Sequence, residues 1–500
     1  MKAIIASKMP PSDVFWVDSR GDKHSAKHAF IKRNSHRLKR EKKLYELRRS
    51  IQPFCLTNMA SRAHSDPVEL AEEHDYQELR HPLVVPSISR DFDPGFLDSF
   101  SSLPTPVTRE MNFYFNYYKS TCSKSCYPFN YNEMGMWWWQ KAIDQPALVY
   151  IILATCALHR AGITLDSAST EATQKFVWHS LKFRQQTIQS LQQLIHQTPK
   201  YGLEMVVLVV INMICVEGAD ANMETIDVHM EGLRKFVYLL GGLENLDHLT
   251  VSGIYCAEYM RCVSKNCLPF FPISTIWKHE VLEASKALKK SYNNQHLGRF
   301  GKRFSESSWS RGLQPGFKLI LQNFKLIVFR CEGIFQGTAT SMPMECDFLI
   351  LWSHQLLSFL DETGAIGFQD TLRLALLTYS SIRIWNLDGC PCVQRLVDAL
   401  RSSLERKLFI LQRSAPDLLF WIYFIGAIAS QKQGREHHEW FASGTIDAAK
   451  SLRLQEFDDL RLLLKEFCFI CRPADKFVKD LWDMRLRASY LESNDKNPDE

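Results

Sequence analysis

From residue 109 onward one pattern recurs: apolar residues fall every three or four positions, and short polar, glycine- or proline-bearing breaks separate the runs. That spacing predicts α-helices over 109–119, 133–160, 171–197, 202–216, 224–240 and 248–264. A polar, basic interval over about 285–315, SKALKKSYNNQHLGRFGKRFSESSWSRGLQPG, then interrupts the series. Helical spacing resumes over 316–335, 345–361, 369–386, 391–411, 415–430, 436–452, 455–469 and 473–490. Period-two alternation is scarce, so the expected fold class is all-α, a large multi-helix array without fixed-period repeats.

The stretch HMEGLRKFVYLLGGLENL, residues 229–246, shows how the breaks work. Met230, Leu233, Val237 and Leu240 make one apolar stripe of a helix, and Gly241-Gly242 follows its last member. Glycine just past a helix is a stop signal, because the closing residue needs a positive φ that only glycine adopts without cost. A phosphate cradle would place its glycines ahead of a helix, where the free amides point. The pair therefore reads as a helix terminus and not as a ligand loop.

The longest apolar runs are 148–158, 205–211 and 418–429, shorter than the roughly 18 residues needed to span a bilayer, and they predict buried helices with no membrane contact. The first residues lack the apolar segment and cleavage site of a secretory signal. Fourteen cysteines, mostly set among apolar neighbours, suit reduced core thiols of the cytosol or nucleus.

Charge divides the chain. Residues 20–49 hold twelve Lys or Arg against three acids, a local +9, whereas the whole chain carries +5. Residues 1–50 thus read as a basic, partly disordered arm, 51–104 as a proline-punctuated linker or wrapping segment, and 105–490 as the helical domain. The arm's core, IKRNSHRLKREKK, spaces Ile31, Leu38 and Tyr45 seven apart, too thin a stripe to pack into a core. Pro53 ends any zipper before it begins. Lys32, Arg33, Arg37, Lys39, Arg40, Lys42 and Lys43 are the candidates for contact with an import receptor or with DNA phosphates; a solvated charge run without a partner is the competing reading.

Candidate chemistry is sparse. No G-x-S-x-G elbow occurs, and Gly301-Lys302 lacks the glycine that a P-loop needs upstream. His437-His438-Glu439 lacks the spacing that sets two imidazoles on one helix face, and reads as surface histidines. Cys468 and Cys471 form a C-x-x-C without a second pair; Cys122 with Cys126 and Cys390 with Cys392 are no better spaced, so no metal site is expected. Trp137, Trp138 and Trp139 are candidate ligand-pocket residues, although three consecutive positions face three directions of a helix and core packing suits two of them. No catalytic residue and no cofactor is assigned.

The order of several segments carries more information than any motif. FDPGFLDSFSSLP (92–104), WWWQKAIDQPALVYIILATCALHRAG (137–162), HMEGLRKFVYLLGGLENL and NCLPFFP (266–272), then the C-terminal segments 416–441 and 454–482, resemble the regulatory domain of fungal-specific transcription factors. The likeness runs from about 90 to 490, and FWVDSRG followed by HAFIKRNSHRLKREKK looks like the N-terminal segment of members without a DNA-binding module. The usual binuclear zinc cluster needs six cysteines, two of them in a C-x-x-C-x-x-x-x-x-x-C run, whereas the first cysteines here are Cys55 and Cys122. The resemblance implies a non-enzymatic, nuclear, all-α regulator of transcription, often of secondary or nutrient metabolism. Its implied partners are an import receptor, the transcription machinery or a DNA-binding protein, and DNA itself only through the basic arm. A small-molecule sensor and a helical interaction scaffold are the rival readings.

Overall fold

A computed structural model describes residues 107–164, 170–197, 202–220, 222–291, 299–359, 367–432, 435–472, 475–476, 478–480 and 482–483. The chain divides into two units, Met1–Phe92 and Asp93–Glu500, and all described residues belong to the second. The expected arm, linker and FDPGFLDSFSSLP segment lie outside the described residues. Among the described residues the structure is all-α.

The first helices are α1 (Arg109–Tyr117), α2 (Ser123–Cys126), α3 (Tyr131–Ala142), α4 (Pro146–Thr164), α5 (Thr170–Gln197), α6 (Gly202–Ala219), α7 (Met223–Leu239), α8 (His248–Lys265) and α9 (Thr275–Ser291). They are followed by the short α10 (Arg303–Glu306), then α11 (Pro315–Phe335), α12 (Glu345–Ser358), α13 (Gln369–Arg383), α14 (Pro391–Ser414), α15 (Pro416–Ser430), α16 (Arg435–Ser451) and α17 (Phe457–Glu466). A π-helical turn, Tyr118–Cys122, joins α1 to α2.

Helices that are apolar on every side are buried on every side. In α15 each residue from Asp417 to Ala427 is buried, and in α6 each from Val206 to Ile211. No described helix is long and apolar enough to cross a membrane. Other helices wrap these two: α4 and α5 lie along one another, α6 packs on α7 and α8, and α15 packs on α16 and α14. The glycine pair closes α7 as its sequence requires. Gly241 N donates to Tyr238 O at 3.0 Å and Gly242 N to Val237 O at 2.9 Å, with φ of 91° and 92°. Together these two bonds form a Schellman cap.

Three expectations of detail are corrected. The helix expected over 133–160 breaks at 143–145, because Pro146 cannot continue α3 and instead opens α4. The helix expected over 369–386 stops at Arg383, so that Trp385 and Asn386 enter a loop. The interval 285–315 is not simply a polar interruption. α9 runs through its start, where Ser285 and Leu288 are buried, and Phe300, Phe304, Trp309 and Leu313 dock into the core farther on. Asp417 anchors that docked segment, accepting from Trp309 Nε1 at 3.1 Å and from Arg303 Nη1 at 3.0 Å.

α8 joins the earlier helices to the later ones. It packs against α12 and α14 as well as α6. Its Ser252 Oγ donates to Asp347 Oδ1 at 2.5 Å, and its Tyr259 hydroxyl bonds Ser380 and Ser381 at 3.0 and 2.9 Å. These bonds set the walls of a cavity between the two sets of helices.

Candidate functional site

Helical periodicity builds that cavity. α4 contributes Thr155, Leu158, His159 and Gly162; α6 contributes Ile211, Asn212, Cys215, Val216 and Ala219; α8 contributes Ser252, Gly253, Cys256, Tyr259 and Met260. Each set falls on one helix face, three or four positions apart. Met134 and Trp138 of α3, the Ser125–Tyr127 turn, Ile350 of α12, and Trp385 to Asp388 with Cys390 complete the lining of about 190 Å³.

Gly253 sits where the helices approach closely. A Cβ there would stand 3.4 Å from Ile211 Cδ1 and 3.8 Å from Trp138 Cζ2, ordinary packing distances, so alanine fits against the wall. The π-turn before α2 shifts the helical register just ahead of Ser125 and Cys126, a distortion common beside functional sites.

The lining is electrically quiet. Burial pushes the Cys215 and Cys390 thiols up to about 12, and it pushes Cys256 well above the usual thiol range, so these groups are neutral. Burial also lowers His159 to about 4; its ring is uncharged near pH 7, with Nδ1 2.7 Å from the Tyr117 hydroxyl. Most polar groups are already satisfied by protein. Thr155 Oγ1 donates to Ile151 O at 2.9 Å and Asn212 Nδ2 to Leu208 O at 3.0 Å, while Ser252 accepts from Trp277 Nε1 at 2.9 Å. Three residues of the lining each hold one enclosed polar atom without a partner among the described residues: Trp138 Nε1, Trp385 Nε1 and Asp388 Oδ1. The other Asp388 oxygen pairs with Lys432 at 3.2 Å.

The three consecutive tryptophans separate. Trp138 is buried and lines the cavity. Trp139 packs against Phe115 and Tyr118 at ring distances of 4.9 and 5.7 Å, and Trp137 lies under Lys141. Lys32, Arg33, Arg37, Lys39, Arg40, Lys42 and Lys43 lie outside the described residues. His437 and His438 are half-buried and bridge helices: His437 Nε2 lies 3.2 Å from Asp398 of α14, and His438 Nδ1 lies 3.1 Å from the Ala427 carbonyl of α15. They are not the surface histidines expected.

Periodicity carried the preceding helix on to 386 and so missed the loop of Trp385 and Asp388. Its signal was turn chemistry, IWNLDGCP, with Asn386 and Gly389 at positive φ of 49° and 82°.

No curated protein and no solved structure gives a match. Residues 113–311 match the model of the family described as the fungal specific transcription factor domain. That match runs from within α1 through α10, including Trp138 and the α4, α6 and α8 faces of the cavity, whereas Trp385 and Asp388 lie beyond it. Residues 113–311 are therefore similar to the fungal specific transcription factor domain, and this similarity, on an all-α body, supports a regulator of transcription.

Proposed function

We propose that this protein acts in the nucleus as a regulator dedicated to one metabolic pathway, and that it works through its helical body and protein partners and not through catalysis. The family match over 113–311 carries the reading. The basic segment supports the location: the residues from Lys32 to Lys43 give it the density of positive charge that import receptors and nucleic-acid phosphates select. A helical surface without a reaction to perform can regulate only by binding, so recruitment to promoters runs through a partner or through that basic segment.

Chromatin occupancy combined with expression profiling after deletion tests the whole reading. Occupancy at the promoters of a co-regulated gene set, with loss of their response on deletion, is expected; no occupancy and no change in expression would remove it. Replacing the seven basic residues with alanine should shift a tagged protein from nucleus to cytoplasm, and unchanged nuclear accumulation would overturn their import role. If the segment holds DNA directly, binding by the purified protein should weaken steeply with salt, at about one counterion per phosphate neutralised.

A further inference from the structure

We propose that Cys267 is a site of reversible oxidation by a hydroperoxide and that Cys262 resolves it into a disulfide, because the turn closing α8 sets the two thiols side by side next to the Arg261 guanidinium. The chemistry is measured on the purified protein and is independent of the transcriptional role.

The backbone makes the pair. α8 ends at Asn266, whose φ of 47° and ψ of 55° are left-handed and whose N–H donates to Cys262 O. Cys267 N donates to the same carbonyl at 3.4 Å. A cap of this kind packs the side chain of the accepting residue against that of the residue five positions on, a contact made in most helices by apolar groups. Here both are thiols, and Cys262 hydrogen-bonds Cys267.

Charge separates their roles. Arg261 Nη1 donates to Cys267 Sγ at 3.0 Å. The guanidinium is itself held in place, with Nη2 donating to the Leu268 carbonyl and the group lying 3.9 Å over the Phe270 ring. The hydrogen bond from Cys262, and after it the charges of Arg261 and Lys265, lower the Cys267 thiol below its usual range against burial and Asp227. The same hydrogen bond, with burial, holds Cys262 well above that range against Arg261. One sulfur is therefore a thiolate, the reactive form, and the other keeps its proton. Access separates them too: Cys262 is buried, whereas Cys267 is half-buried between exposed Asn266 and Leu268.

Proximity of two thiols is not enough by itself. Cys122 and Cys126 stand 3.9 Å apart. Their bond lowers Cys122, but Cys156 and burial outweigh it, and the same bond together with burial raises Cys126, so both stay protonated. At the α8 turn the steps balance with hydrogen peroxide as oxidant. The Cys267 thiolate attacks one peroxide oxygen: an S–O bond forms, the O–O bond breaks, and the hydroxide that leaves takes a proton from solvent. The Cys262 sulfur then attacks the Cys267 sulfur: the S–S bond forms, the S–O bond breaks, and the departing hydroxide carries off the Cys262 proton as water. The two sulfurs lose two electrons in all, and the peroxide is reduced to water.

The reduced full chain, treated with equimolar hydrogen peroxide, alkylated, cut with trypsin and mapped by mass spectrometry, tests the proposal. Cleavage after Arg261, Lys265 and Lys278 puts the two cysteines in separate peptides, so the disulfide joins 262–265 to 266–278. That linked pair should be the first disulfide to form and should disappear with dithiothreitol. Cys262→Ser should leave a Cys267 sulfenate that dimedone traps, and Cys267→Ser should abolish oxidation at both positions. Arg261→Gln should slow alkylation of Cys267 by iodoacetamide roughly threefold or more. Mapping of the unmodified protein decides even if a variant does not fold. Alkylation of Cys267 no faster than that of Cys126, or oxidation that never joins Cys267 to Cys262, would overturn the proposal.

Discussion

Glu332 of α11 receives both Nε and Nη2 of Arg472, at 3.0 and 2.9 Å, across 140 residues of sequence. Arg383 reaches the same carboxylate at 3.4 Å and bonds Asp475 at 2.7 Å. Glu332 is fully enclosed and is the carboxylate that Arg472 grips with two nitrogens, while Arg383 shares it with Asp475. This network clamps α11, α13 and the residues after α17 together.

Removing that carboxylate should be costly. Glu332→Leu strips Arg472 of its carboxylate and leaves Arg383 with Asp475 alone, and about 3 kcal/mol of stability should be lost in urea unfolding. Adding Arg472→Met should recover part of the loss, because Asp475 still serves Arg383. A double variant no more stable than the single one would show that the charges are not coupled.

Gly242 tests backbone strain separately from crowding. Its φ and ψ are 92° and 175°, and a Cβ there would meet nothing within 4 Å. Gly242→Ala should nevertheless destabilise the protein by about 1–3 kcal/mol, since that region is open essentially to glycine alone. Thermal unfolding measures it; an unchanged Tm would mean that the turn relaxes without penalty.

His248 gives the protein a pH dependence of known sign. Burial alone lowers its pKa, but the hydrogen bond and charge of Asp347, 3.3 Å away, and then those of Glu280, 2.7 Å away, outweigh burial and hold it above the usual 6.5. A folded pKa raised above the unfolded one means stability that is fully present below pH 6.5 and is lost as pH rises through the folded value. The Tm should fall as pH increases above 6.5, and His248→Gln should flatten that slope. An unaltered slope in the variant would assign the dependence to other groups.

A fragment ending at residue 311 should not fold. Within the family-matched residues, Ser252 depends on Asp347, Tyr259 on Ser380 and Ser381, and Asn266 accepts from Arg373 at 3.1 Å, all of them donors or acceptors beyond the cut. Truncation also exposes the α8 face that packs on α12 and α14. Residues 107–311 should show helical circular dichroism without a cooperative thermal transition, and a native-like transition would make the matched region a domain in its own right.

The sequence by itself determined most helices of this protein, because each helix buries one stripe and a stripe has a period. The 3.6-residue spacing of Met230, Leu233 and Val237 and the glycine pair after Leu240 were enough to place α7 and its Schellman cap. It also separated the apolar helices α6 and α15, whose continuous runs allow no exposed face, from the amphipathic ones around them. The order of those segments carried the family likeness. Only the tertiary structure decided which faces meet. Periodicity says that Trp137, Trp138 and Trp139 point three ways, but not that Trp138 alone reaches a cavity also lined by Trp385 and Asp388, almost 250 residues later. Nor does it mark Phe300, Phe304 and Trp309 as core residues, because a segment folded against Asp417 and α15 has no period of its own. Long-range contacts are set by the shape and charge of surfaces formed only when all the helices are in place, and no local window of sequence contains them.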